Sequence, residues 1–196
     1  MKEMRERRSN VERTGATRAA LIAAARRLFV EKSYAETGTP EIVAAAGVTR
    51  GALYHHFADK QDLFRAVAEA EAAAVAAEIE RASPAGAGAI EALVAGGRAF
   101  VAAMQLPGRT RLLLLDGPAV LGRTAMDAID ARHALRTLKA GLAAAMQTGA
   151  IVPLPLDALT LLVSAAFDRA ALAVEAGADA RDHDAALEAL ISGLRP

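Results

Sequence analysis

The sequence predicts an all-α fold, and three observations carry that expectation. Alanine, the best helix former, supplies 51 of the 196 residues. Apolar residues recur at spacings of three and four along most of the chain. No stretch alternates apolar and polar residues in the way a half-buried strand does. Pattern breaks divide the chain into about nine helices.

Taken in order, residues 1–13 carry charges of both signs and few apolar side chains, and read as a mobile arm. Thr14 or Thr17 can cap a first helix over 17–32, whose Leu21, Ile22, Ala25, Leu28 and Phe29 form one apolar stripe. A short second helix follows, with Thr39 as N-cap, Pro40 at the first helical position and Glu41 facing the positive helix end. It stops at Gly47. A third helix spans 49–57, and Asp59 caps a longer one over 60–81. The run Ser83-Pro84-Ala85-Gly86-Ala87-Gly88 is the strongest punctuation in the first half. Helical segments are then expected over 89–104, 109–115 and 123–147. Gly149, Pro153 and Pro155 end that stretch, Asp157 caps a helix reaching 176, and 182–194 is the last.

Composition excludes several chemistries. The absence of cysteine removes disulfides, thiol nucleophiles and Cys-ligated metals. No apolar leader is visible, and the longest apolar runs are about half the length of a membrane span. The chain therefore reads as soluble and cytoplasmic, with no membrane partner. Four scattered histidines, with no Gly-rich phosphate loop and no paired His/Glu spacing, give no catalytic constellation. No enzyme activity, cofactor or metal site is expected. His55-His56 is no ligand pair, because adjacent helical residues point about 100° apart.

The informative stretch is 39–63. Two short helices meet at Ala45-Ala46-Gly47-Val48-Thr49. Small alanines permit close packing, Gly47 can adopt positive φ, Val48 plugs the core and Thr49 caps the next helix. This is helix-turn-helix logic. Leu53 and Phe57 point inward, which leaves Arg50, Gly51, Ala52, Tyr54, His55 and His56 on the outer face. A short, polar, basic helix of this kind fits the DNA major groove.

The same residues resemble the DNA-binding domain of the tetracycline-repressor (TetR) family. The features that match are Ile42, Ala46-Gly47-Val48, Thr49, Gly51, Leu53-Tyr54, His56-Phe57, Lys60 and Leu63, with Ala25, Leu28, Phe29 and Tyr34 before them. Val43 and Ser33 depart from the usual alanine and glycine. Pro40 and Ala52 stand where relatives often place DNA-reaching side chains. The resemblance implies an arm over 1–13, a three-helix helix-turn-helix domain over 14–65, and a helical ligand-binding and dimerisation domain over 66–196. It implies a homodimer on a palindromic double-stranded DNA operator, most often a repressor released by a small-molecule effector. The alternatives are a DNA binder of the same fold without small-molecule sensing, acting through a protein partner or a nucleoid role, and a helical enzyme.

By position, Arg50 is expected to read guanine, Gly51 to allow close approach and Ala52 to touch a thymine methyl. Tyr54 and His56 are expected on phosphates, and His55 on either. Thr39, Thr49 and Lys60 are expected to add phosphate contacts, Lys60 through its ammonium. Two of the seven aromatic residues, Phe100 and Phe167, lie beyond residue 66. An aliphatic pocket is therefore expected, lined by Phe100, Met104, Leu112, Met126, Ile129, His133 and Phe167 and suited to a mainly apolar ligand. Asp168 is a second source of polar contact beside His133. The last two helices are expected to pair with a second copy through Leu159, Val163, Ala166, Ala170, Leu187, Leu190, Ile191 and Leu194.

The net charge is zero, but it is unevenly distributed. Residues 1–65 carry 12 Lys/Arg against 8 Asp/Glu, and residues 66–196 carry 11 against 15. The neutral sum thus joins a basic N-terminal third to a mildly acidic body.

Overall fold

The computed structural model describes residues 2–82 and 86–196, with 2–12 described by helical backbone alone. The Ser83-Pro84-Ala85 part of the expected break lies outside the described residues. Among the described residues there are ten α-helices, one π-helical turn and no strand. The chain divides into two compact units, Met1–Glu69 and Ala70–Pro196.

The first unit contains α1 (Lys2–Lys32), α2 (Thr39–Ala46), α3 (Arg50–His56) and the start of α4 (Lys60–Ala82). Its core is built from Leu21, Ala25 and Phe29 of α1, Ile42 of α2, Leu53 of α3, and Leu63 and Phe64 of α4, all with no exposed surface. Phe29, Tyr34 and Phe64 form an aromatic triangle with centroids 5.2–5.6 Å apart. Helix α1 begins at Lys2, well before the expected start at 17. Among its residues of described burial, from Arg13 on, the first buried one is Leu21, so the apolar stripe located a buried part of the helix and not its first turn. The backbone of 2–13, expected as an arm, is part of α1.

Helix α1 ends at Ser33, whose φ of 88° is a left-handed conformation that usually selects glycine. Gly38 is the N-cap of α2, so Thr39 is the first helical residue and not the cap. The Glu41 carboxylate accepts a hydrogen bond from the Gly38 N–H at 3.3 Å and pairs with Lys32 at 2.6 Å. The Asp59 carboxylate accepts from the Asp62 N–H at 2.7 Å and starts α4 as expected.

The second unit comprises the rest of α4, α5 (Ala89–Met104), a π-helical turn (Arg111–Asp116), α6 (Gly117–Leu121), α7 (Arg123–Arg132), α8 (Ala134–Gln147), α9 (Leu156–Glu175) and α10 (Ala180–Ser192). The single helix expected over 123–147 is two. It breaks at His133 (φ −121°, ψ −110°), where neither glycine nor proline marks the site. Pro155, and not Asp157, precedes α9, and Asp179 caps α10 by accepting from the Arg181 N–H at 2.8 Å.

Arg109 is 4% exposed and makes three hydrogen bonds. Its Nε donates to Glu71 at 2.9 Å, and its Nη1 donates to Glu78 at 3.1 Å and to the Ala103 carbonyl at 2.7 Å. One guanidinium thereby ties the second half of α4 to the end of α5.

The expected dimer stripe is, for the most part, this chain's own core. Ala170, Leu187 and Ile191 are buried with Leu93, Leu142 and Phe167, and Leu159, Val163, Ala166 and Leu194 pack against that cluster. Of the eight residues expected at the interface, Leu190 alone is exposed. The free apolar face of α9 is the opposite one, Leu161 at 60% and Leu162 at 71%, with Leu190 at 63% on α10. A helix apolar on both sides does not reveal from its pattern which side faces inward.

Helices α5 and α9 approach closely at Gly97, where an added Cβ would lie 2.5 Å from the Phe167 ring. Gly97→Val is expected to destabilise the protein by about 1–3 kcal/mol through overpacking. The check is chemical denaturation; an unchanged midpoint would show that the Phe167 ring has room to move.

Candidate nucleic-acid interface and ligand cavity

The turn before α3 is built as its residues dictate. Gly47 adopts φ 66°, ψ 32° and closes α2 through its N–H to the Ala44 carbonyl, while the Val48 N–H bonds the Val43 carbonyl. Thr49 caps α3, its hydroxyl oxygen accepting from the Ala52 N–H at 3.1 Å. Leu53 and Phe57 are buried, and Arg50, Gly51, Tyr54 and His55 are exposed. The outer face is therefore free along its length.

Three residues of that face converge. Tyr54 shares hydrogen bonds with Thr39 and Arg50, which hold its phenol below the usual range, Thr39 having the larger effect. The Arg50 guanidinium lies 5.5 Å from the centre of the Tyr54 ring. The pairing joins α2 to α3 and orients Arg50. The His56 ring is held below the ordinary histidine range, first by burial and then by the charges of His55 and Arg18. A neutral His56 donates one ring N–H and brings no positive charge.

Arg18 is a residue that sequence reasoning passed over. It stands exposed on α1 with its guanidinium 5.2 Å from the Phe57 ring centre, beside the end of α3. Its position three residues before the buried Leu21 places it on the same helix face, a signal visible in the pattern.

Lys60 differs most from expectation. Its ammonium donates to the carbonyls of Tyr34 at 2.9 Å and Thr37 at 3.0 Å, and lies 4.2 Å from the Tyr34 ring centre. Two of its three N–H groups thus pin the α1–α2 loop to the start of α4, and one is left for a phosphate. Thr37, fully buried, completes the junction by donating to the Ser33 carbonyl at 2.7 Å.

Among the cavities of the second unit, one of about 330 Å³ has Phe100, Met104, Met126 and Ile129 on its wall, together with Asp130 and Asp168. A second, about 180 Å³, has Phe100 and Phe167 on its wall. A third, about 720 Å³, is lined by Leu135, Lys139, Leu156 and Leu161 among others. Leu112, though fully buried, and His133, at the α7–α8 break, line none of the three. Among the described residues no helix is long and apolar enough to cross a membrane.

Replacing Lys60 by Met keeps the apolar stem and removes the ammonium. The loss of two charge-assisted hydrogen bonds is expected to cost the first unit about 2–3 kcal/mol, seen as a lower unfolding midpoint. Gly47→Ala is expected to cost about 1 kcal/mol, because nothing crowds the site and backbone conformation alone opposes the change. A midpoint unchanged in either variant would remove that role.

Two family models match the chain. "Bacterial regulatory proteins, tetR family" covers residues 21–67, and "Tetracyclin repressor-like, C-terminal domain" covers 90–195, more than half of the sequence. The HTH-type transcriptional repressor BepR of Brucella suis is 45% identical over 51 residues, 26% of this chain and 24% of that protein. The HTH-type transcriptional regulator AcrR of Shigella flexneri is 49% identical over 53 residues, 27% and 25% of the two chains. These matches span about a quarter of the curated relatives' length. A solved TetR-family transcriptional regulator from Pectobacterium atrosepticum is 29% identical, covering 94% of this chain and 96% of that one with a TM-score of 0.73. The helix-turn-helix geometry, the all-α second unit and both family models agree: this chain belongs to the TetR family of bacterial regulatory proteins.

Proposed function

We propose that this chain is a homodimeric DNA-binding transcription regulator, acting as a repressor that a small molecule releases from its operator. The observation that carries the reading is the state of α3. Its inner side is locked by Leu53 and Phe57, while Arg50, Tyr54 and His55 stand exposed outside.

In this reading Arg50, steadied by Tyr54, reads a guanine edge bidentately. Gly51 lets the backbone approach, and Ala52 meets a thymine methyl. Thr49 keeps its hydroxyl proton for a phosphate, since the cap uses only its oxygen as an acceptor. Thr39 and Tyr54 meet the backbone together, and His56 does so through a neutral N–H. Lys60 contributes its remaining N–H, and Arg18 adds a cation to the same side. The basic residues of 2–13, on the first turns of α1, are a further source of phosphate contacts.

Two copies would associate through the exposed Leu161, Leu162 and Leu190, an apolar face that a lone chain leaves in water. Two-fold pairing presents two recognition helices to the half-sites of a palindrome. Ligand in the second unit would favour the conformation that binds DNA less well, the only way it can shift the balance. Helix α4 is the covalent route. It begins at Lys60 and carries Glu71 and Glu78, which Arg109 grips.

Arg50→Ala is expected to relax preference at one base pair in each half-site, at a cost of about 1–3 kcal/mol. Fluorescence anisotropy against single-base operator variants reads this, and unchanged preference would remove Arg50 from base reading. Leu161→Glu with Leu190→Glu is expected to give a folded monomer in sedimentation, with operator affinity strongly reduced. A variant that remains dimeric would move the interface elsewhere.

A further inference from the structure

We propose that the cavity of about 330 Å³ in the second unit binds an aliphatic amine, its apolar body against Met104, Met126 and Ile129 and its protonated nitrogen between Asp130 and Asp168. This rests on reading that cavity as the effector site and adds the chemical class of its occupant.

The wall of the cavity has a consistent chemistry. Met104, Met126 and Ile129 are buried, and Phe100 is the one aromatic residue on the lining. A single ring makes no cage for a flat aromatic cation, whereas an alkyl or alicyclic body is well accommodated by methionine and isoleucine. Five charged residues complete the wall: Arg123, Asp127, Asp130, Asp168 and Arg169. Arg123, Asp127 and Arg169 are exposed, and water and salt screen their charges. The two that are half-buried are both acids, one from α7 and one from α9. The interior polarity is therefore negative.

These acids lack a counter-charge of their own depth. Among the described residues no hydrogen bond reaches the Asp168 carboxyl, and its neighbours act on it through charge alone. Burial, then the Asp130 charge, push it up to about 7, with Arg123 opposing. Burial likewise raises Asp130; a backbone hydrogen bond from Leu135 and the His133 charge oppose, while Asp127 adds to the rise. Near neutral pH the empty pair thus tends to hold a proton where a ligand cation would sit. An ammonium replaces that proton with a positive charge that faces both carboxylates, and it donates several N–H bonds. A carboxylate ligand would add a third negative charge to the same interior.

The sign of the pH dependence follows. A carboxyl whose folded-state pKa is raised is held protonated below about 7. Without ligand, stability falls as pH rises from the ordinary aspartate range through 7. Amine affinity runs the other way and rises as Asp168 ionises, since an alkylamine stays protonated throughout.

Calorimetric titration of the full-length protein with octylammonium, octanol and octanoate tests the assignment, because the three probes share a body and differ in the head. Octylammonium is expected to bind about tenfold more tightly than octanol, with octanoate weakest. Its affinity is expected to rise up to about tenfold between pH 6 and pH 8. Asp168→Asn and Asp130→Asn, which preserve shape, are each expected to lose about tenfold for octylammonium and to leave octanol unchanged. Equal or tighter binding of octanol or octanoate, unchanged octylammonium affinity in both folded variants, or binding of none of the three would overturn the proposal. Operator anisotropy on the same samples separates the two readings. Octylammonium bound without operator release would contradict the ligand-released repressor while supporting the amine site.

Discussion

The recognition helix is positioned by a lysine that faces inward. The Lys60 ammonium opens α4, donates to the carbonyls of Tyr34 and Thr37, and rests against the Tyr34 ring. A loop of two helix ends and several free carbonyls has few ways to be fixed without burying unpaired polar groups. One cation with three donors meets that need. It fixes the α1–α2 junction, which sets where α2 starts. The start of α2 places Thr39 against Tyr54, and Tyr54 in turn orients Arg50. The chemistry presented outward therefore depends on a contact on the inner side of the domain.

The second unit repeats the device with the opposite geometry. There Arg109 lies at the centre, and Glu71 and Glu78 of α4 close on it. A buried guanidinium with three acceptors is costly to break by removing one partner. Helix α4 is thus held by cations at two places, Lys60 at its first residue and Arg109 at Glu71 and Glu78. It buries Val67, Ala68, Ala72 and Val75, and Ala72 and Val75 also form part of the wall that holds Asp130 and Asp168. A ligand that altered that wall would act on the stretch of α4 that Arg109 holds.

Much of the first unit was legible because its signals are local. Gly47 and Thr49 announce a turn and a cap, and Leu53 and Phe57 four residues apart announce the buried face. Each is a matter of backbone conformation or helical period. What was not legible came from partners distant in sequence. Lys60 reads as a free surface cation until the carbonyls of Tyr34 and Thr37 are seen beside it. Thr39 is a good N-cap residue, yet Gly38 holds that position because Glu41 supplies the capping contact.

In the second unit the pattern was ambiguous rather than absent. Helix α9 is apolar nearly all round, so Leu159 and Val163 were as eligible for an interface as Leu161 and Leu162, and only packing distinguishes them. The break at His133 carries no glycine or proline. Phe100, Met104, Met126 and Ile129 were expected to line a pocket from their type and do line one cavity, whereas Asp130 of α7 and Asp168 of α9 meet on that wall from two helices, which leaves no trace in local sequence.

A dimer that presents two copies of α3 to DNA selects paired half-sites. Selection of bound sequences from a random double-stranded pool with the purified protein should therefore enrich a palindrome whose half-sites lie about one helical turn, or a whole number of turns, apart. Enrichment of a single unpaired half-site, or no enrichment over the starting pool, would contradict it.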